Sequence, residues 1–358
     1  MSLLHRTIEL IKPLNQGYFD LALERLDSLT KPKGSLGKLE EFAKRVVAIT
    51  ENTKPSLDKK TVFVLAGDHG VVEEGVSVYP KEVTRDMIYN FLRGGAGINA
   101  LSRHTGVDVF VVDIGVDWYF DVEDVKGMIS RKVKMGTNNL TKEAAMTPGE
   151  AVRCIEVGIG LAQNACEKGY NFIAVGDMGI GNTTPSSAVM SAIIGINPEE
   201  IVGCGTGIDN KVWSQKVEVV KNALALHNPD PDFPIEVLSK VGGFEIGGIA
   251  GVILGGASKR IPVVVDGFVS TAGATIAIGL CPEVANYIFF SHKSAEGGHG
   301  LILKKLGVEP ILDLEMRLGE GTGAVLAMFL IEAGLKAYNE MATFEEAGVA
   351  KRQGEIKE

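Results

Sequence analysis

Short β-branched runs alternate with longer amphipathic stretches through most of the chain, and this alternation constrains the fold more than any other feature. Five runs have the composition and length of buried strands, at residues 61–66, 108–112, 172–175, 262–265 and 287–290. Between them, other stretches carry apolar residues at helical spacing, as at 81–92, 149–167 and 211–226. Strands that alternate with helices form a mostly parallel sheet flanked by helices on both faces. The sequence therefore predicts the α/β fold class.

The two ends of the chain show helical spacing without strand-like runs. Apolar residues recur at intervals of three and four between 39 and 49 and again between 325 and 335. We predict a small helical domain from residues 1–55 and 330–358, and an α/β catalytic domain from residues 56–329.

Composition excludes several classes of protein. With 36 Lys and Arg against 45 Asp and Glu, the net charge is −9, whereas a nucleic-acid surface needs an excess of cations. No segment has the roughly 20 uninterrupted apolar residues that span a bilayer, and the amino terminus lacks a signal-peptide core. The four cysteines have no metal-ligand spacing. We expect a cytoplasmic protein with reduced thiols, no metal, and neither a nucleic acid nor a membrane as partner.

Polar, glycine-rich loops follow the strand-like runs. The chain has 44 glycines in 358 residues, nearly twice the usual share of about 7%, which predicts tight turns and close backbone approaches to a ligand. Because ligands of open parallel sheets bind beyond the carboxyl ends of the strands, these loops predict a small-molecule cleft. They lie at residues 67–70, 113–115, 176–184, 266–273 and 291–299.

Two segments fit an anion. Residues 179–184 combine glycines and threonines ahead of Pro185, which suits the first turn of a helix, and residues 203–207 precede Lys211 and Lys216. Each segment alone fits a tight turn with a helix cap slightly better. Two such segments at one sheet edge favour a bound anion.

One carboxylate stands between glycines at the start of a helical stretch. Glu320 lies between Gly319 and Gly321, so no neighbouring Cβ shields it from a ligand, and it could accept a proton. The same pattern fits a helix terminus that is capped by Thr322, with Glu320 opposite the helix dipole.

Familiar nucleotide-binding and hydrolase motifs are missing from the sequence. It contains no GxxxxGK[ST] loop, no GxGxxG after the first strand-like run, and no GxSxG elbow. Asp68 and His69 could serve as a base or a metal site, but without clustered partners we interpret His69 as a turn residue.

Seven motifs in order resemble one enzyme family, the nicotinate-nucleotide:dimethylbenzimidazole phosphoribosyltransferases of cobalamin lower-ligand assembly. They cover about residues 30–330 and read GDHGVVEEGVSVYP, GGAGIN, GDMGIGNTT, GCGTGID, DGFVSTAG, SHKSAEGGHG and LEMRLGEGTGA. The resemblance implies a sheet of Rossmann-like topology, a helical domain from both termini, and a homodimer. It also implies transfer of ribose phosphate from nicotinate mononucleotide to dimethylbenzimidazole, giving alpha-ribazole phosphate and nicotinate without a cofactor.

The implied chemistry needs one general base. Nicotinate leaves as a neutral pyridine, whereas the second nitrogen of the incoming benzimidazole must lose a proton as the first attacks the sugar. By matching position, the resemblance implies that Glu320 is this base. It also implies that Asp177 is the second acid, in a place where many relatives have glutamate. Attack from the opposite face inverts the sugar carbon, as in inverting glycoside cleavage.

The resemblance assigns further residues to the substrates. Those at or near the ribose phosphate are Gly179, Gly181, Asn182, Thr183, Gly205, Lys216, Ser291 and Ser294. Those that shape the benzimidazole slot are Tyr79, Pro80, Met316 and Leu318, together with Asp86, which stands where many members have glutamine. Gly298 stands where a proline is common. These departures bear on which base is preferred, and that choice stays open.

Two other functions fit the same cleft. A non-catalytic sensor would bind nicotinate mononucleotide and release no nicotinate when a base is added. A different glycosyl-transferring enzyme would prefer another nucleotide. The exposed base position favours the phosphoribosyltransferase, because a sensor has no need of one.

Overall fold

Six parallel strands form one sheet in a computed structural model that describes residues 1–121, 123–203 and 210–350. The strands are β1 (Lys60–Gly67), β2 (Asp108–Gly115), β3 (Ile129–Ser130), β4 (Phe172–Met178), β5 (Val263–Val265) and β6 (Ile288–Phe290). Every hydrogen-bonded pair is parallel. The predicted α/β class is confirmed, and each of the five predicted runs contains a strand. β3 was not predicted, because two residues carry no readable alternation.

The order of the strands, β3-β2-β1-β4-β5-β6, reverses direction between β1 and β4. The chain moves outward from β1 through β2 to β3, then returns to the other side of β1. Because the connections leave β1 and β4 toward opposite sides, a crevice opens beyond their carboxyl ends. All eight residues of β1 are buried, which matches the continuous apolar run of a central parallel strand.

Helices make up much of the rest of the described chain. They are α1 (Leu3–Leu10), α2 (Gln16–Ser28), α3 (Lys38–Thr50), α4 (Glu82–Leu92), α5 (Gly97–Thr105), α6 (Pro148–Glu167), α7 (Thr183–Ile194), α8 (Pro198–Ile201), α9 (Asn210–His227), α10 (Pro234–Val241), α11 (Phe244–Ser258), α12 (Phe268–Leu280), α13 (His299–Lys305) and α14 (Thr322–Glu340). Two 3₁₀ helices cover Gly70–Glu74 and Pro282–Tyr287. Within the described residues, no helix combines the length and apolarity needed to cross a bilayer.

Glycines in α11 serve helix packing, a use that the sequence did not predict. This helix is buried along almost its whole length and packs on α6. A Cβ at Gly251 would lie 1.9 Å from the carbonyl oxygen of Ile155, and one at Gly158 would lie 2.0 Å from that of Gly248. Part of the glycine excess therefore allows close contact between two helices instead of forming turns or contacting a ligand.

The chain divides into two compact units. The larger contains residues 1–12 and 58–328, and the smaller contains residues 13–57 and 329–358. Residues 1–12 thus belong to the larger unit, whereas the sequence prediction placed them in the helical domain. The reason is local: the N–H of Leu4 donates to Glu156 on α6, and α1 packs on α6 and α11.

Buried polar contacts hold the smaller unit together. Lys31 and Glu40 form an ion pair of 2.8 Å that is almost fully buried. Arg25 donates to the carbonyls of Tyr338 and Asn339, and the hydroxyl of Tyr338 donates to the backbone carbonyl of Thr53.

Candidate active site

A cavity of about 410 Å³ opens in the larger unit beside the loop that follows β4. Its volume is within the range of about 300–1,000 Å³ that small-molecule sites occupy. One group of lining residues is apolar and the other is polar or charged. The apolar group includes Val76, Val78, Tyr79, Val83, Met87, Ile180 and Leu318, and the polar group includes Asp177, Asn182, Thr183, Lys216, Glu296, Arg317 and Glu320. A smaller cavity of about 80 Å³, which shares Asp177, Thr183 and Glu296 with the first, also reaches Ser294.

Glu320 lies in a turn of unusual backbone conformation. Gly319, Glu320 and Gly321 have φ values of +81°, +62° and +91°, so a residue with a side chain occupies the left-handed region between two glycines. The turn also lies directly against β4. A Cβ at Gly176 would lie 2.2 Å from the nitrogen of Gly321, so only glycine allows this approach.

The carboxylate of Glu320 lies at the amino end of α5. Its Oε2 accepts a hydrogen bond of 2.9 Å from the N–H of Ile98, and the N–H of Gly97 also points toward it. Burial raises the pKa of Glu320 above its usual value, although these two N–H groups favour the ionised form. A buried carboxylate with a raised pKa that still lines a cavity is suited to accept a proton.

The helix that follows Glu320 is capped by another residue. Asp266, at the end of β5, accepts hydrogen bonds from the N–H groups of Gly321 (3.0 Å) and Ala324 (2.9 Å). The Thr322 hydroxyl donates to the carbonyl of Gly319. The alternative interpretation, in which the carboxylate of Glu320 lies opposite the dipole of its own helix, is therefore wrong. That carboxylate accepts hydrogen bonds from the amino end of α5, and Asp266 accepts those from the amino end of α14.

Asp177, at the end of β4, is the second acid on the cavity wall. Its Oδ2 accepts a hydrogen bond of 2.9 Å from the side-chain amide of Asn182. Burial, followed by the charges of Asp266, Glu245 and Glu320, raises the pKa of Asp177 to about 7, although the bond from Asn182 acts against this. Asp177 thus takes up a proton far more readily than an exposed aspartate.

Cationic and hydroxyl groups gather where α7 begins. Lys216 on α9 is almost fully buried, and its Nζ donates to the Thr183 hydroxyl over 2.6 Å. The same Nζ lies 3.6 Å from Oε1 of Glu296. The amino end of α7 adds its dipole to the charge of Lys216, so this part of the cavity is suited to a phosphate group.

A buried histidine–glutamate pair lies beneath the loop that follows β4. Nε2 of His69 is 2.9 Å from Oε1 of Glu245 on α11, and both side chains are fully buried. A Cβ at Gly179 would lie 3.2 Å from the same Nε2. Burial is the largest single influence and would lower the pKa of His69, but Glu245, through its charge and its hydrogen bond, together with the charges of Asp68 and Asp177, raises that pKa above its usual value. His69 supports the loop from below, as expected of a turn residue, and Glu245 is the partner that the sequence did not reveal.

The structure brings most of the predicted residues together. Those that line one of the two cavities are Glu320, Asp177, Gly179, Gly181, Asn182, Thr183, Lys216, Ser294, Tyr79 and Leu318. Gly205 lies outside the described residues.

Four predicted residues do not reach a cavity wall. The Ser291 hydroxyl is buried and donates to the carbonyl of Asp266. Asp86 is turned outward into an ion pair of 2.8 Å with Arg85. Met316 contributes its carbonyl to the N–H of Ala295, and Pro80 lies next to Tyr79 without lining the cavity. Neighbours in a motif need not share a direction, because adjacent side chains of a turn point to different sides.

Sequence analysis missed other lining residues. Val83 and Met87 share one face of α4 at a spacing of four, which identifies a helix face without showing that it borders a ligand site. Arg317 and Glu296 lie inside quoted motifs but beside the residues that were singled out. Asp266 lines neither cavity, and the sequence showed it only as an acid after a strand.

Comparison with known proteins agrees with this geometry. A family model described as phosphoribosyltransferase matches residues 11–349. The chain is 55% identical to the nicotinate-nucleotide–dimethylbenzimidazole phosphoribosyltransferase of Citrifermentans bemidjiense, covering 98% of this chain and 99% of the relative. It is 51% identical to the protein of the same name from Desulforudis audaxviator, covering 99% of this chain and all of the relative.

A solved structure gives the same result. The crystal structure of the nicotinate-nucleotide-dimethylbenzimidazole phosphoribosyltransferase from Thermus thermophilus superimposes with a TM-score of 0.89 at 45% identity, over 95% of this chain and all of that one. The Rossmann-like fold and the family resemblance are both confirmed. This chain belongs to the nicotinate-nucleotide:dimethylbenzimidazole phosphoribosyltransferase family.

Proposed function

We propose that the protein transfers the ribose phosphate of nicotinate mononucleotide to dimethylbenzimidazole, giving alpha-ribazole phosphate and nicotinate in the assembly of the cobalamin nucleotide loop. The observation that carries the proposal is the position of Glu320: a buried carboxylate on the wall of a cavity that also holds a buried lysine. A base and an anion site in one cavity match the two demands of this reaction.

The phosphate of the nucleotide binds where α7 begins. Lys216 supplies the positive charge, and the hydroxyl and backbone of Thr183 supply hydrogen-bond donors. Placing the phosphate there fixes the sugar inside the cavity, which lowers the entropic cost of bringing C1 to the incoming base.

The aromatic base binds against the apolar wall. Tyr79, Val83, Met87 and Leu318 present a surface that suits a flat heterocycle. Glu320 lines the same cavity, so a benzimidazole that rests on this wall can direct an N–H toward the carboxylate. Tyr79 and Leu318 are about half exposed, and a bound base would shield them.

The reaction then proceeds in one displacement. The unprotonated nitrogen of dimethylbenzimidazole forms a bond to C1 of the ribose as the bond to nicotinate breaks. The bonding pair returns to the nicotinate nitrogen, which loses its positive charge, and Glu320 takes the proton from the second benzimidazole nitrogen. Attack opposite the leaving group converts a β bond into an α bond. Asp177 and Glu320, when ionised, stabilise the positive charge that develops on the sugar.

The predicted homodimer and cytoplasmic location belong to the same proposal. The thiols of Cys154 and Cys281 are buried and unpaired, as suits a reducing compartment. The homodimer is tested by light scattering on the peak that elutes from a size-exclusion column. We expect twice the monomer mass of 38.1 kDa.

A direct assay tests the function. Purified protein is incubated with nicotinate mononucleotide and dimethylbenzimidazole, nicotinate is measured over time, and the anomer of the product is assigned by nuclear magnetic resonance. We expect nicotinate to appear only when the base is present, with an α-linked product. Binding of the nucleotide without release of nicotinate would identify a sensor, and preference for another nucleotide in a competition assay would identify a different transferase.

A further inference from the structure

Asp266 is a buried acid to which the mechanism above gives no task. It lies at the end of β5 with 1% of its surface exposed. Its Oδ2 accepts from the N–H of Gly321 and its Oδ1 from the N–H of Ala324, at 3.0 and 2.9 Å, and the N–H of Gly323 also contributes. One carboxylate thus binds the residue directly after Glu320 and the first turn of α14.

The turn that Asp266 holds is one that a chain does not adopt without support. Three consecutive residues have positive φ, and the middle one is Glu320. A side chain in the left-handed region costs free energy and persists only where surrounding contacts determine it. On the other side of the turn, the N–H of Glu320 reaches the carbonyl of Asp177 at 3.3 Å, a weak hydrogen bond. The two contacts from Asp266 are shorter, at 3.0 and 2.9 Å.

We propose that Asp266 is a positioning residue that holds the carboxylate of Glu320 against α5 and toward the cavity. The inference rests on the proposed role of Glu320 as the general base. It assigns to Asp266 a share of the rate without any contact with substrate, because a misplacement of about 1 Å in a catalytic group can cost roughly 100-fold.

The groups that surround Asp266 agree with this role. His292 is a basic side chain beside it, with Nδ1 3.7 Å from Oδ1 of Asp266. Burial lowers the pKa of His292 to about 4, so it is neutral near pH 7. The other titratable neighbours, Asp177 and Glu320, are acids. Burial raises the pKa of Asp266 to about 7, and the backbone N–H groups of Gly321, Gly323 and Ala324 act against this rise by favouring the ionised form. The hydrogen bonds that these groups donate to the carboxylate hold the turn in place.

A matched control exists at the end of β2. Asp113 is also 1% exposed and accepts a backbone hydrogen bond, from Val116 at 3.0 Å, but it is paired with Lys132 and does not touch the turn of Glu320. Asp113→Asn removes the same charge from the same kind of strand end.

The experiment is a double-mutant cycle of Asp266→Asn and Glu320→Gln, read by single-turnover release of nicotinate. We expect Asp266→Asn to lower the rate about 100-fold and to change binding of nicotinate mononucleotide by less than about 2-fold. In the Glu320→Gln background it should lower the rate by no more than about 2-fold, because the group it positions is already disabled. Asp113→Asn should leave the rate unchanged.

Effects that multiply in the double variant would overturn the proposal, since Asp266 would then act independently of Glu320. Equal losses of rate in Asp266→Asn and Asp113→Asn would do the same, because they would indicate general destabilisation. A thermal unfolding scan of each variant shows whether it is folded at the assay temperature.

A second readout does not depend on the reaction. Amide hydrogen exchange across residues 318–324 should accelerate at least about 10-fold in Asp266→Asn and stay unchanged in Asp113→Asn, since local opening follows the loss of the bonds that close the turn. Unchanged exchange in this segment would contradict the positioning role. The two readouts can also disagree. If exchange accelerates in Asp266→Asn but the wild-type protein releases no nicotinate, Asp266 still holds the turn, and it is the proposed function that is rejected.

Discussion

The amino ends of α5 and α7 lie at the same cavity but are used differently. At α5, the N–H groups of Gly97 and Ile98 are directed at Glu320, a carboxylate of the protein itself. At α7, no carboxylate accepts from the first turn among the residues that the structure describes, and Thr183 and Lys216 line the cavity there. A helix amino end attracts negative charge in both cases. Under the proposed function, the amino end of α5 holds the general base and the amino end of α7 is left for the phosphate of the substrate.

The largest effect is expected from removing the proposed base, Glu320, at the amino end of α5. Glu320→Gln keeps the shape of the side chain and can no longer accept a proton, so the rate of transfer should fall by about 10²–10⁴-fold. Binding of nicotinate mononucleotide, measured by calorimetry, should stay within about 2-fold because the anion site is intact. Wild-type turnover in this variant would remove Glu320 from the role of base.

A smaller effect is expected at the amino end of α7. Lys216→Met removes the buried charge beside Thr183, and binding of nicotinate mononucleotide should weaken by about 10–100-fold, as for the loss of a charge-assisted contact. Nicotinate riboside, which lacks the phosphate, should bind wild type and variant alike.

Lys221→Met is the control for that comparison. Lys221 lies on the same helix, but it is 40% exposed and pairs with Glu199 at the surface. Its loss should leave nucleotide binding unchanged. Equal weakening by the two variants would show that the helix as a whole, and not Lys216, governs the affinity.

Displacing the base without removing it should have a moderate effect. A Cβ at Gly97 would lie 2.7 Å from Cδ2 of Leu318 and 3.3 Å from Oε2 of Glu320. We expect Gly97→Ala to lower kcat by about 10-fold. Gly160→Ala, in α6 where a new Cβ meets nothing within 4 Å, should keep full activity and slightly raise the melting temperature. Full activity in Gly97→Ala would show that the contact between α5 and Glu320 is dispensable.

The smallest effect concerns stability and pH. The pKa of Asp177 is raised from 3.8 to about 7 mainly by burial, so the folded state binds its proton more tightly than the unfolded state. The contribution of Asp177 to the free energy of unfolding is fully present below about pH 4 and is lost as the pH rises through about 7. Asp177→Asn should therefore raise the melting temperature at pH 8 and not at pH 4. A variant that is less stable than wild type at pH 8 would show that the ionised carboxylate is stabilised by its contacts.

The sheet, the acid at one end of the cavity and the loop before α7 could be predicted from the sequence because their signals are local. Parallel strands buried on both faces read as continuous apolar runs, and glycine beside an acid or a threonine marks a loop at a strand end. Asn182, Thr183 and Glu320 were found in this way.

The rest depends on contacts between distant segments. Asp266 and Glu320 are 54 positions apart, and Glu320 and Ile98 are 222 apart, so no local pattern could reveal which acid serves which helix. The glycine-rich α11 was missed for a similar reason, because glycine is a poor helix former and only the close packing against α6 accounts for it. Ser291 and Asp86 were placed in the site by their motifs, and their directions are set by Asp266 and Arg85.

The most direct test of the central claim is a crystal structure of the protein with nicotinate mononucleotide and dimethylbenzimidazole bound together. The account predicts an N–H of the base within about 3 Å of a Glu320 carboxylate oxygen, and phosphate oxygens in contact with Lys216 and the start of α7. A complex in which the base lies away from Glu320, or in which the phosphate occupies the amino end of α5, would contradict it.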